Sequence, residues 1–157
     1  MPSWVNIART SSVGETQQVA AALAGLVQPG SVVTLDGDLG AGKTHFTQGL
    51  AAALGIAVPV TSPTFNLMVA YEGGRIPLYH FDLYRLEDPF QLEDLAFYEI
   101  VEGDGVSCIE WASKFPDEMP EDRLEVFIAV EGESERCIRA RAFGQAQALL
   151  DAWVAAL

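Results

Sequence analysis

The segment GDLGAGKT, Gly37 to Thr44, joins an apolar run, SVVTLD, to the amphipathic stretch TQGLAAALG, and it constrains the fold more than any other part of the chain. Gly37, Gly42, Lys43 and Thr44 fit the spacing GxxxxGK[ST], in which a strand precedes the glycine-rich turn and a helix follows it. Glycines let the backbone turn tightly enough for successive N–H groups to face one point, and the helix N-terminus adds partial positive charge there. Such a cradle suits phosphate oxygens, with Lys43 reaching the terminal phosphates and the Thr44 hydroxyl on Mg2+. An accidental match should arise in roughly one chain of this length in a few hundred. The flanking strand and helix reduce that further, so the phosphate reading is preferred to a chance turn.

The rest of the chain alternates. Ser12 to Glu15 has capping-box spacing, and Val19, Leu23, Leu26 and Val27 recur at helical period until Pro29 and Gly30, which predicts a first helix. Val32 to Asp36 reads as a buried strand, and Phe46, Leu50, Ala53 and Leu54 share the face of a second helix closed by Gly55. After the proline-punctuated loop VPVTSPTF, Gly73 and Gly74 separate two strand-like runs as in a hairpin. Asp88, Pro89 and Gln91 start a helix that covers DPFQLEDLAFYEI, and Gly103 and Gly105 end it. VSCIEW is a short apolar strand, LEVFIAV and RCIRARAF form a second hairpin, and GQAQALLDAWVAAL is an amphipathic terminal helix. Together these predict one domain over residues 1–157, a three-layer α/β fold of P-loop NTPase type with a mixed sheet. The pattern leaves the strand order open.

Charge and cysteine usage remove several function classes. The formal charge is −13, and the only local concentration among nine lysines and arginines is Arg136, Arg139 and Arg141. Tight binding of RNA or DNA replaces phosphate counterions with a basic patch, so this chain is not expected to hold nucleic acid strongly by itself. No apolar run is long enough to span a membrane, and MPSWVNIART lacks the basic and apolar halves of a secretory signal, so the expected location is the cytoplasm, with no membrane partner. Cys108 and Cys137 lie within apolar or alternating runs and read as buried free thiols.

A phosphate cradle needs a further acid to orient the metal or its water, usually at the carboxyl end of a neighbouring strand. Asp82 in LYHFD and Glu110 in SCIE both qualify. An isolated acid at either place would read as an ordinary solvated carboxylate, but two of them in one P-loop chain favour a role in the site.

The ordered motifs GDLGAGKT, SPTF at Ser62 to Phe65, HFDLYRL at His80 to Leu86 and IEW at Ile109 to Trp111 resemble the TsaE family, also called YjeE. That family comprises bacterial P-loop ATPases needed for threonylcarbamoyladenosine modification of tRNA beside the anticodon. The resemblance runs from about Val13 to the strand after Pro120. It implies that Gly37, Asp38, Leu39, Gly40, Ala41, Gly42, Lys43 and Thr44 bind ATP phosphates, with Leu39 to Thr44 closest, and that Thr44 and Glu110 hold Mg2+. Lys43, Asp82 and Glu110 become the catalytic set, Asp82 in a supporting or switch role. Thr61, Ser62 and Thr64 fall in a first switch segment, and His80, Asp82, Tyr84 and Arg85 in a second. Trp111 is expected near the nucleotide, with a plain core tryptophan as the alternative, and His80 read without the motif is a packed strand histidine.

The resemblance further implies an accessory ATPase, slow by itself, that drives partner proteins TsaD and TsaB; the tRNA is met through that complex. The chain departs from the family pattern at His45, where a hydroxyl residue is common, at Ala96, where glycine is frequent, and at Ala112, where proline is common. Rival functions are a nucleotide-dependent switch module with incidental hydrolysis and a small-molecule kinase. The kinase reading is disfavoured because Arg85 is the only arginine between Arg75 and Lys114, too few for an arginine-rich lid. A GTPase is disfavoured by the lack of an NKxD motif and of the glycine of DxxG.

Overall fold

The computed structural model describes residues 1–157 apart from Thr64, a switch-segment residue that therefore lies outside the described residues. Among the described residues, seven strands form one mixed sheet: β1 (Val5–Thr10), β2 (Val32–Asp36), β3 (Met68–Tyr71), β4 (Leu78–Asp82), β5 (Val106–Glu110), β6 (Arg123–Val130) and β7 (Arg136–Phe143). Their order is β1-β7-β6-β2-β5-β4-β3. β2 is parallel to β5 and β6, and β4 is parallel to β5, whereas β3–β4, β6–β7 and β1–β7 are antiparallel. Both expected hairpins are present.

The helices are α1 (Val13–Ala21), α2 (Lys43–Leu54), α3 (Gln91–Asp94), α4 (Phe97–Val101) and α5 (Gln147–Ala156). They flank both faces of the sheet, as an α/β fold of P-loop type requires. On one face, Leu23, Phe46, Leu50 and Trp153 pack in a core with Val33, Leu35, Val126 and Ile138. On the other, Leu92 and Phe97 pack with Val32, Phe81 and Ile109. The alternation of Val32 and Val33 to opposite faces follows from the period of two along a strand. Each fully buried large side chain contributes about 1.5–3 kcal/mol. The face carrying α2 is fastened further by an edge-to-face contact between Phe46 and Trp153, 6.0 Å between ring centres, and by Trp153 Nε1 donating to the Val19 carbonyl at 3.0 Å. Gly49 permits α1 and α2 to meet backbone to backbone: a Cβ there would fall 2.3 Å from Gln17 O.

Three local outcomes differ from the sequence pattern. β1 precedes the first predicted element, and its pattern of mostly exposed and half-buried residues carries little apolar signal. α1 starts as expected, with Ser12 Oγ accepting from Glu15 N at 3.1 Å, but ends at Ala21. Beyond it, i to i+3 bonds such as Leu26 N to Leu23 O tighten the chain and still deliver Leu23 and Val27 to the core. The helix expected over DPFQLEDLAFYEI is two short helices, because Ala96 between them adopts a left-handed conformation at φ 55°, ψ 34°. Its start is displaced as well: α3 begins at Gln91 with Phe90 rather than Asp88 at its N-cap, although the turn ahead of it keeps polar contacts of the expected kind, Gln91 Oε1 accepting from Asp88 N at 3.0 Å and Asp88 Oδ1 from Phe90 N at 2.9 Å. Among the described residues no helix is long and apolar enough to cross a membrane. Cys108 and Cys137 are buried and free, and burial pushes the Cys108 thiol up to about 12.

Candidate functional site

The carboxyl ends of β2, β5 and β4 lie side by side, with Leu35 in register with Glu110 and Glu110 in register with Asp82. Open parallel sheets bind ligands beyond such strand ends. The chain leaving β2 turns through Gly37 at φ 149°, where a Cβ would stand 2.4 Å from the Ile128 carbonyl of β6, so no larger residue fits without moving a strand. Gly40 and Gly42 also adopt positive φ, and α2 begins immediately after Gly42. A cavity of about 370 Å³ opens there, lined by Leu39, Gly40 and Gly42 to Thr44 of the loop together with Asp82, Glu110 and Trp111.

Lys43 is buried at the start of α2. Its Nζ donates to Gly37 O at 2.7 Å and Asp38 O at 3.0 Å, and it lies 4.3 Å above the Trp111 ring centre. Burial lowers the affinity of Lys43 for its proton, and the charges of Glu110, Asp36, Asp82 and Asp38 oppose that effect. Glu110 Oε2 accepts from the Thr44 hydroxyl at 2.8 Å and is 2.6 Å from His80 Nε2. His80 is completely buried on β4, two residues before Asp82, which explains its aim at the same carboxylate. Asp82 is buried too, and desolvation raises its pKa, against the opposing bond from Tyr84 N to Asp82 Oδ1 at 3.0 Å.

Trp111 takes a left-handed conformation at φ 60°, which costs a side-chain-bearing residue about 1–2 kcal/mol. The turn is held by Trp111 N donating to Leu35 O at 3.1 Å and Leu83 N to Glu110 O at 3.1 Å. It lays the indole between Lys43 and Tyr84, whose ring centre is 4.9 Å away. Trp111 is thus half-buried, lining the cavity on one side and packing against the core cluster of Phe81 and Ile109 on the other. The two predicted switch segments touch: the Arg85 guanidinium lies 4.6 Å over the ring of Phe65. Thr61 N donates to the Tyr71 hydroxyl at 3.2 Å, Ser62 and the exposed Tyr84 line the cavity, and Phe65 is exposed.

Most expected site residues therefore converge. Asp38 and Leu39 are exposed on the loop, and His80 sits behind Glu110 rather than on the cavity wall. His45, a departure from the family pattern, lines the cavity one residue past Thr44. Two cations were not expected at the site from sequence. Lys114 fastens the second switch segment, its Nζ donating to Tyr84 O and Leu86 O at 2.5 and 2.6 Å. Arg136 donates to the loop carbonyls of Ala41 and Gly40 at 2.9 and 3.2 Å. Neither carries a motif, since both act on backbone oxygens distant in sequence.

The residues fit a magnesium nucleotide. Positive-φ glycines and the start of α2 suit phosphates, and Thr44 with Glu110 forms an oxygen pair for a hard cation. Among the described residues, no cluster of three or more His, Cys, Asp or Glu could hold a metal by itself.

Comparison with known proteins points the same way. The family model described as Threonylcarbamoyl adenosine biosynthesis protein TsaE matches residues 10–138. The tRNA threonylcarbamoyladenosine biosynthesis protein TsaE of Bacillus subtilis (strain 168) is 44% identical over 142 residues, covering 90% of this chain and 89% of that protein. The protein of the same name from Treponema pallidum (strain Nichols) is 41% identical over 125 residues, covering 80% and 92%. The crystal structure of Bacillus subtilus YdiB superposes with a TM-score of 0.82 at 36% identity, covering 98% of this chain and 95% of that one.

Proposed function

The chain belongs to the TsaE family of tRNA threonylcarbamoyladenosine biosynthesis proteins, and on that premise we propose that it is a Mg2+-dependent ATPase that drives the partner proteins TsaD and TsaB in modifying tRNA. The observation that supports the nucleotide part of this reading is the 2.8 Å bond between Thr44 and Glu110 beside the buried Lys43, next to a glycine-rich loop, and the partners follow from family membership.

In this reading Gly40 to Thr44 cradle the phosphates through backbone N–H groups, and Lys43 exchanges its bonds to Gly37 O and Asp38 O for β- and γ-phosphate oxygens. Thr44 and Glu110 hold Mg2+, which when bound neutralises charge on the phosphates. His80 keeps the Glu110 carboxylate turned toward Thr44. Asp82, at the strand end beside Glu110, orients water or couples the site to the segment that follows it. Trp111 and Tyr84 wall the nucleotide, and Arg85, stacked on Phe65, is the cation placed to close over it when a partner presses the two switch segments together.

The test is steady-state ATP hydrolysis by the protein alone, with tRNA alone, and with TsaD and TsaB. Slow turnover alone and a large rise only with the partners is expected, and Arg85→Ala should lose most of the rise. Fast turnover alone, or full stimulation by tRNA without partners, contradicts the accessory role. Binding to the partners that follows ATP occupancy without hydrolysis would make the protein a nucleotide-dependent switch instead.

A further inference from the structure

Arg136, at the head of β7, lies outside every segment assigned above to nucleotide chemistry. Its guanidinium nevertheless joins two pieces of chain. Nε donates to Ala41 O at 2.9 Å and Nη2 to Gly40 O at 3.2 Å, while Nη1 donates to Gly132 O at 3.1 Å and Glu135 O at 3.0 Å in the turn between β6 and β7. One side chain therefore fastens the outer carbonyls of the glycine-rich loop to the tip of a hairpin that belongs to the rigid sheet.

We propose that Arg136 is a positioning residue for the phosphate loop: by holding Ala41 C=O outward, it keeps the Gly42 N–H turned inward, where a phosphate oxygen is met. In a trans peptide the C=O and the following N–H point in opposite directions, and the described chain contains no cis bonds. Fixing the Ala41 oxygen thus fixes the direction of the Gly42 donor. The adjoining peptide is held at both ends, its Gly40 oxygen by Arg136 and its Ala41 N–H by Asp38 O at 3.0 Å.

A clamp matters here because the oxygen of the Ala41–Gly42 peptide has Arg136 as its partner while glycines stand on both sides of Ala41. Gly40 at φ 79° and Gly42 at φ 113° flank Ala41, and glycine crosses between backbone regions with little steric resistance. A cradle whose donors must be reoriented on binding loses affinity to that reorganisation, whereas one held in place does not. Arginine suits the task because its planar fork presents five N–H groups in fixed directions; a lysine ammonium in the same place is a point charge that cannot reach both loop carbonyls and the hairpin turn together.

The inference rests on the phosphate-loop reading, and the experiment separates the two. ADP binding is titrated calorimetrically without divalent metal for wild type, Arg136→Ala and Arg136→Lys, and exchange of the Ala41 amide is followed by NMR in the ligand-free proteins. Arg136→Ala should weaken ADP binding about tenfold and Arg136→Lys at least about threefold, since restored charge does not restore the fork. The Ala41 amide should exchange faster in both variants, while amides of β2 remain protected. Wild-type ADP affinity in either variant, or unchanged Ala41 exchange, overturns the positioning role; full recovery by lysine shows that charge alone mattered. Should Arg136→Ala fail to fold, Arg136→Lys decides both measurements. If wild type does not bind ADP, the phosphate reading fails, and the exchange measurement still judges the clamp.

Discussion

Thr44 and Glu110 are 66 residues apart in sequence, yet the hydroxyl of one donates to the carboxylate of the other at 2.8 Å. The bond exists because β2 and β5 are parallel neighbours, so the helix that starts after β2 and the acid that ends β5 emerge at the same edge. Glu110→Gln keeps an oxygen to accept from Thr44 but removes the charge that would hold Mg2+. ATP binding should survive with modest weakening, while hydrolysis falls by more than about tenfold. Titration with a non-hydrolysable analogue, set beside single-turnover rates, separates the two effects; unchanged hydrolysis would move the role to Asp82.

Lys43 is the buried cation of the loop, and burial disfavours its charge while Glu110, Asp36, Asp82 and Asp38 sustain it. Lys43→Ala leaves these carboxylates without their counter-charge at the place where phosphates must enter. Affinity for ATP should drop by about a hundredfold or more, since each charge-assisted bond contributes strongly when desolvated. Calorimetry with Mg2+ and an ATP analogue is the measurement, and near wild-type affinity would remove the phosphate-loop assignment.

How far the sequence reveals this site depends on whether the signal is local. The loop from Gly37 to Thr44 is legible because backbone turn, charge and hydroxyl fall within eight consecutive residues. Both hairpins are legible from their turn residues and alternation. The approach of His80 to Glu110 needs the β4–β5 register, which pairs His80 with Cys108 and Asp82 with Glu110, and no periodicity specifies which strands become neighbours. Arg136 is further still from view: 95 residues separate it from Ala41, and it recognises carbonyl oxygens that every residue carries. β1 is an edge strand without a continuous apolar face, so the hydrophobic pattern passes over it.

The break between α3 and α4 yields a prediction about stability alone. Ala96 holds φ 55° and ψ 34°, a conformation that costs a residue with a Cβ about 1–2 kcal/mol. Ala96→Gly relieves that strain but adds about 0.5–1 kcal/mol of unfolded-chain entropy. The net gain should be about 0.5–1 kcal/mol, or roughly 1–4 °C in the thermal midpoint for a domain of this size. Calorimetric melting decides the sign, and a lower midpoint for the glycine variant would contradict the strain.

Asp82 links the chemistry to a pH dependence. Desolvation by burial is the largest cause of its raised pKa, reinforced by Glu110 and opposed by the Tyr84 N–H, His80 and Lys43. In the unfolded chain its carboxyl ionises near 3.8, whereas in the folded protein it keeps its proton to higher pH. Between those values the native state binds more protons than the unfolded state, so the contribution of this group to stability falls as pH rises through the window and stays lost above it. Asp82→Asn keeps an oxygen for the Tyr84 N–H and has no charge to desolvate. The variant should therefore melt higher than wild type at neutral pH, with the difference shrinking as the pH is lowered toward 3.8, while ATP turnover is impaired. Paired melting curves across that range test the sign. An advantage that grows on acidification, or a variant less stable than wild type at neutral pH, would show that the buried carboxylate is stabilised where it sits.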